Sequence, residues 1–114
     1  MANTFKTITK AGVTSLDTIY TVASSTTAVV LGLVLGNTTS SSVTATVTLS
    51  SDTANRAGAN NEANQDVEII TNAPIPSASS LSVLDGKIIM ETTDVLKVSA
   101  SGATDVILSV MEQT

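Results

Sequence analysis

The chain has 114 residues, enough for one domain with a core of its own. It contains no histidine, cysteine or tryptophan, and almost three residues in ten are Ser or Thr, which excludes disulfides, thiolate metal sites and histidine-based catalysis. The net charge is −5, and the five basic residues (Lys6, Lys10, Arg56, Lys87 and Lys97) are too scattered to form a stripe for nucleic acid.

Residues 1–12 are polar and weakly patterned, with Phe5 and Ile8 as their large apolar groups. They read as an edge strand or as an N-terminal arm that packs on a neighbour. The opening Met1–Lys6 has no apolar stretch of the leader type, so no secretory signal is expected. Thr18 to Ala23 holds Ile19, Tyr20, Thr21 and Val22, all at home on a pleated surface, and Ser24–Thr26 marks a turn.

Ala28 to Gly36 is continuously apolar rather than alternating. Its length is far below the ~20 residues of a membrane helix, and Val29–Val30 with Gly32 and Gly36 disfavours any helix. The spacing predicts a central strand covered on both faces, either by the domain's own core or by an oligomer. Asn37 to Ser41 is a polar loop; its Asn37-Thr38-Thr39 matches a glycosylation sequon but reads as a turn. Val43, Ala45, Val47 and Leu49 then alternate with Thr44, Thr46 and Thr48, a period of two with one apolar and one threonine face. These two runs are expected to form a hairpin.

The stretch 50–66 is a long polar loop without a large apolar residue, and such loops are commonly functional. Asp66 to Ile70 returns to strand. Asn72-Ala-Pro-Ile-Pro76 reads as a crossing between elements, because proline donates no ladder hydrogen bond. Leu81 to Leu84 and Lys87 to Met90 flank Asp85-Gly86, a tight-turn signal. After Glu91–Asp94 turns the chain, Val95–Val98 and Asp105–Glu112 are further strands, separated by Ser101-Gly102. Seven to nine short strands with regular turns predict an all-β antiparallel sandwich of immunoglobulin-like or jelly-roll type, as a single domain over 1–114.

Chemistry is poorly supplied. No Ser-x-x-Lys motif activates a serine, and the acidic and amide residues of 52–66 do not follow the calcium-loop pattern. Glu91 and Asp94 share a turn, where an acidic pair for sugar or calcium chemistry competes with a plain backbone cap, and the cap is the expected role. No catalytic residue, cofactor or metal is expected.

Several short motifs are shared with a known group. They are Ala73-Pro-Ile-Pro76, Ser80-Leu81, Gly86-Lys-Ile, Glu91-Thr-Thr-Asp94, Leu96-Lys-Val98 and Asp105-Val-Ile-Leu-Ser-Val-Met-Glu112, together with Met1–Lys6, Tyr20-Thr-Val22 and Asn37-Thr-Thr-Ser40. In these the chain resembles small virion structural proteins of tailed bacteriophages, particularly T4-related cyanobacterial phages. The resemblance implies an accessory protein without an active site, made in the host cytoplasm and carried on the virion. It would decorate a repeating capsid lattice; the alternatives are a neck, tail or baseplate component, or a host-surface or carbohydrate-binding module. Expected partners are further copies of the chain and other virion proteins such as capsid or tail subunits, with no nucleic acid and no membrane. The residues expected to make contact are Phe5 in the arm and Arg56, Asn60, Asn61 and Glu62 in the loop, Arg56 because its fork suits carboxylates.

Overall fold

A computed structural model of the chain describes residues 2–51 and 65–114. Among them are nine strands and no helix: β1 (Asn3–Val13), β2 (Asp17–Thr21), β3 (Thr27–Asn37), β4 (Val43–Ser51), β5 (Gln65–Ile75), β6 (Ser80–Ser82), β7 (Ile88–Met90), β8 (Val95–Ala100) and β9 (Thr104–Gln113). They form two antiparallel sheets, one ordered β1-β9-β3-β6 with β7 also on β3, the other β2-β8-β4-β5. The short β6 and β7 pair with two successive stretches of β3, at Val34–Gly36 and Ala28–Val30, and so occupy one strand position. Eight positions in this order make a jelly roll.

The inward positions of both sheets fill the core with Val, Leu, Ile and Ala. Leu33, Leu35, Leu96, Leu108, Val47 and Val98 are fully buried, each contributing roughly 1.5–3 kcal/mol. Tyr20 is the only aromatic among the buried side chains.

Four local expectations change. The runs 28–36 and 43–49 do not pair as a hairpin; β3 and β4 lie in different sheets, and the chain crosses between them after Asn37. The Asn37 side chain holds that corner. Nδ2 donates to the carbonyls of Ser41 (2.8 Å), Ile75 (3.0 Å) and Pro76 (3.1 Å), while Oδ1 accepts from the Thr39 amide and hydroxyl, both at 2.8 Å. The segment around Asp85-Gly86 is likewise no hairpin turn, since β6 and β7 both use β3 as partner; residues 83–87 bridge across the middle of β3, where the Val83 amide reaches Leu33 O at 2.9 Å.

Residues 72–75 are not a crossing but the continuation of β5. That strand is an edge, so Pro74 breaks no ladder, and the surplus residues are taken up in bulges, one with Asn72 at φ 48. Finally, β3 is central in its sheet but covered by the described residues on one face only. Its burial alternates, and Leu31 and Val34 remain 39% and 37% exposed on the other face.

Residues 1–12 take the edge-strand form. β1 pairs with β9 from Asn3↔Gln113 to Lys10↔Val106, and Ala2 and Thr114 exchange backbone hydrogen bonds beyond it. A bulge before Val13 places Gly12 at φ 66, where its amide donates to Asp105 Oδ1 at 2.9 Å. The left-handed conformation favours glycine there.

Candidate functional site

The sequence marks Phe5 and the 50–66 loop as contact surfaces. Arg56, Asn60, Asn61 and Glu62 lie outside the described residues. Phe5 lies within β1, and its side chain is 74% exposed on the outer face of the first sheet.

Cross-strand partners share a face, so the register fixes what surrounds Phe5. Phe5 stands opposite Met111, Met111 opposite Val29, and Val29 opposite Ile89. These four side chains make one unbroken row across β1, β9, β3 and β7, spanning about 14 Å. A second row further along the strands is Thr9, Ile107, Val34 and Ser82. Between them lie Thr7, Ser109 and Gly32, with Leu31 as the extra residue of a bulge. Seven large apolar side chains are exposed among the described residues, and five belong here: Phe5, Leu31, Val34, Ile89 and Ile107. Leu16 and Val67 stand apart.

The same face carries almost no charge. On β1 the alternation sends Lys6 and Lys10 inward, opposite Val110 and Val106, and leaves Asn3, Phe5, Thr7 and Thr9 outward. On β9 the outward set is Asp105, Ile107, Ser109, Met111 and Gln113, and Asp105 at the far end is engaged by the Gly12 amide. The outer face of the second sheet differs. It presents Thr44, Thr46 and Ser50 on β4, with Thr48 buried, Lys97 and Ser99 on β8, and Asp66 and Glu68 on β5. One face of the sandwich is finished in hydroxyls and charges, the other in a row of hydrocarbon bordered by uncharged polar groups.

Sequence reasoning singled out Phe5 but not Ile89, Ile107, Met111, Val29 and Val34, which share its outer face. The available signal was a departure from alternation. A strand with one wet face should read apolar-polar, yet Lys87-Ile-Ile-Met90, Asp105-Val-Ile-Leu108 and Ala28–Leu35 place apolar residues on both sides.

Behind the exposed row, a buried polar cluster ties the sheets together. Glu112 on β9 receives the Tyr20 hydroxyl of β2 on Oε2 at 2.5 Å and the Lys6 ammonium of β1 on Oε1 at 2.8 Å. The Lys6 bond, then the Tyr20 bond, hold the Glu112 carboxyl below its ordinary range against the opposing effect of burial. Burial, then the carboxylate it faces, pushes the Tyr20 phenol well above its own. Lys10 and Asp17 pair at 3.5 Å nearer the surface, a contact worth little.

Glu91 and Asp94 meet as a turn cap: Asp94 Oδ2 accepts the Glu91 amide at 2.9 Å, and the Asp94 amide donates back to Glu91 O at 3.0 Å. Among the described residues no group of three or more acidic side chains is placed to hold a metal ion, and no helix is long and apolar enough to cross a membrane.

No protein-family model and no curated protein matches the chain. Among solved structures, the fold is similar to a protein from Bacillus endospore appendages, described as a family of disulfide-linked pili. The match has a TM-score of 0.51 at 16% sequence identity, and covers 99% of this chain and 87% of that one. At that identity the likeness is one of fold: an all-antiparallel sandwich that also occurs in the subunit of a polymer.

Proposed function

We propose that this chain is a non-enzymatic structural subunit of a tailed-bacteriophage particle, an accessory capsid-decoration protein that binds copies of itself and a repeating virion lattice. The observation that carries the assembly part is the uncharged apolar outer face around Phe5, Met111, Val29 and Ile89. The largest apolar patch on a protein surface is often where it meets another surface. The virion part rests on the short motifs shared with phage structural proteins, and the jelly roll, recurrent in viral capsids, agrees with it at the level of fold analogy.

Light scattering across a dilution series tests the assembly. A multiple of the 11.6 kDa chain mass supports it, and a monomer at every concentration overturns it. Saturable binding of labelled protein to purified T4-related cyanophage particles, at a fixed number per particle, supports the virion assignment; absence of binding overturns that part.

A second reading, subunit of a surface appendage, is favoured by the fold likeness to the endospore pilus protein. The disulfide linkage of that family has no counterpart in a sequence without cysteine, so any such polymer of this chain is held by contacts other than disulfides.

A further inference from the structure

Resting on the assembly reading above, we propose that the occupant of the apolar face is a second copy of this chain. The two first sheets pack face to face about a two-fold axis parallel to the strands, which sets Phe5 of one copy over Ile89 of the other.

Charge selects the occupant. The chain carries −5 overall, and copies meeting through the second sheet would have to strip water from Asp66, Glu68 and Lys97. The first sheet's outer face has no such obstacle, because Lys6 and Lys10 point inward and Asp105 lies at the end, bonded to Gly12. A neutral face is compatible with its own image, the requirement of an isologous pair. Its margin holds Lys87, exposed just before β7, a lone cation there and too little to hold an anionic membrane or a nucleic acid.

Area agrees. The exposed parts of Phe5, Ile89, Ile107, Leu31 and Val34 amount to on the order of 500 Å² of apolar surface. With a rim of Asn3, Thr7, Thr9, Ser109 and Gln113, the face approaches the roughly 800 Å² per partner that a stable pair buries.

The edges point the same way. β1 turns Lys6 inward at mid-strand and bulges at Gly12; β5 has Pro74 and two register shifts. β2 has five residues with a bulge, while β6 and β7 have three residues each. Edges of this kind resist strand addition, leaving the face as the route to a partner.

Both two-folds in the plane of the face set apolar on apolar; the one parallel to the strands evens the separation by putting the larger Phe5 against the smaller Ile89 at both ends. The ends of the row, Phe5 at 74% and Ile89 at 63% exposure, stand clear, while the central Met111 and Val29 are only partly exposed. Rotation about an axis parallel to the strands, between β9 and β3, lays Phe5 on Ile89 and Met111 on Val29. Each exposed end then meets an apolar partner, at the ~10 Å spacing of packed sheets.

Size-exclusion with light scattering, run on the wild type and on Phe5→Asp and Ile89→Asp, tests the face. The wild type is expected as a dimer, and each variant should dissociate at least ~100-fold more readily, because it buries an unpaired charge. Phe5→Ser and Ile89→Ser are milder companions if an aspartate variant fails to fold, and Val67→Asp, exposed elsewhere, is expected to leave the mass unchanged. An undiminished dimer in folded Phe5 and Ile89 variants overturns this face while the assembly reading stands. A wild-type monomer at all concentrations overturns both. Since the chain has no cysteine, the axis is read by mixing Phe5→Cys and Ile89→Cys proteins with a short bismaleimide. Crosslinks between the two variants support it; crosslinking confined to like variants overturns it.

Discussion

The Tyr20 hydroxyl donates to Glu112 Oε2 at 2.5 Å, so a strand of one sheet is tied to a strand of the other by a polar bond inside an otherwise aliphatic core. Lys6, half exposed at 2.8 Å from the other carboxylate oxygen, completes the set and pins the edge strand over it. Tyr20→Phe is expected to cost about 1–2 kcal/mol in urea unfolding. Glu112→Ala costs more, roughly 2–3 kcal/mol, because it strands the buried hydroxyl and removes the partner of Lys6.

The same cluster sets a dependence on pH. The Glu112 carboxyl is held low in the folded chain, so its contribution is full above the ordinary carboxylate range and is lost as pH falls through the depressed value. The Tyr20 phenol is held high, so its contribution is full below its ordinary value of 10.0 and declines as pH rises beyond that, when the unfolded chain ionises first. Thermal melts should show an alkaline loss of stability starting near pH 10 that is absent in Tyr20→Phe, and an acid loss reduced in Glu112→Gln.

Asn37 is a corner that charge should break. Its Nδ2 faces three carbonyls, so Asn37→Asp sets a carboxylate against the oxygens of Ser41, Ile75 and Pro76. We expect a loss of about 2–3 kcal/mol at neutral pH, at least that of Asn37→Ala, with part regained in acid when the carboxyl is protonated. Equal losses for Asn37→Asp at pH 4 and pH 7, relative to wild type, would contradict this.

Gly102 has no room for a side chain. A Cβ there would stand 2.7 Å from Val43 Cγ1. Gly102→Ala should destabilise by about 1–3 kcal/mol, and Gly102→Ala with Val43→Ala should cost less than the two single changes added together.

At Gly12 the obstacle is conformation rather than space. A Cβ would meet nothing within 4 Å, but φ is 66. Gly12→Ala is expected to cost about 1 kcal/mol, with Gly12→Asn cheaper. Asp105→Ala should cost a similar amount by removing the acceptor of the Gly12 amide.

Much of the sandwich is legible in the chain. The Val43–Leu49 alternation is the inward and outward pleat of β4, and the strand-rich segments at 18–23, 95–98 and 105–112 are β2, β8 and β9. Pairing was less legible, because alternation states which side of a strand is apolar and not which sheet the strand joins. Val43 suits a neighbour of β3 in one sheet as well as a position across the core from it. Asn37 decides between them through contacts 38 and 39 residues away, with Ile75 and Pro76, which no local pattern reveals. The outer face was half legible: the unbroken 28–36 run signalled a covered strand, but only register joins Val29 to Met111, Phe5 and Ile89.

The absence of charge from the Phe5–Ile89 face has a consequence for ionic strength. The −5 of the chain is carried elsewhere, so two copies repel through their bulk while the meeting surfaces are electrically indifferent. Added salt shortens the reach of that repulsion, from about 30 Å at 0.01 M to about 8 Å at 0.15 M, and leaves the hydrocarbon contacts intact. Pairing through this face therefore tightens as salt rises, the opposite sign to an assembly built on ion pairs.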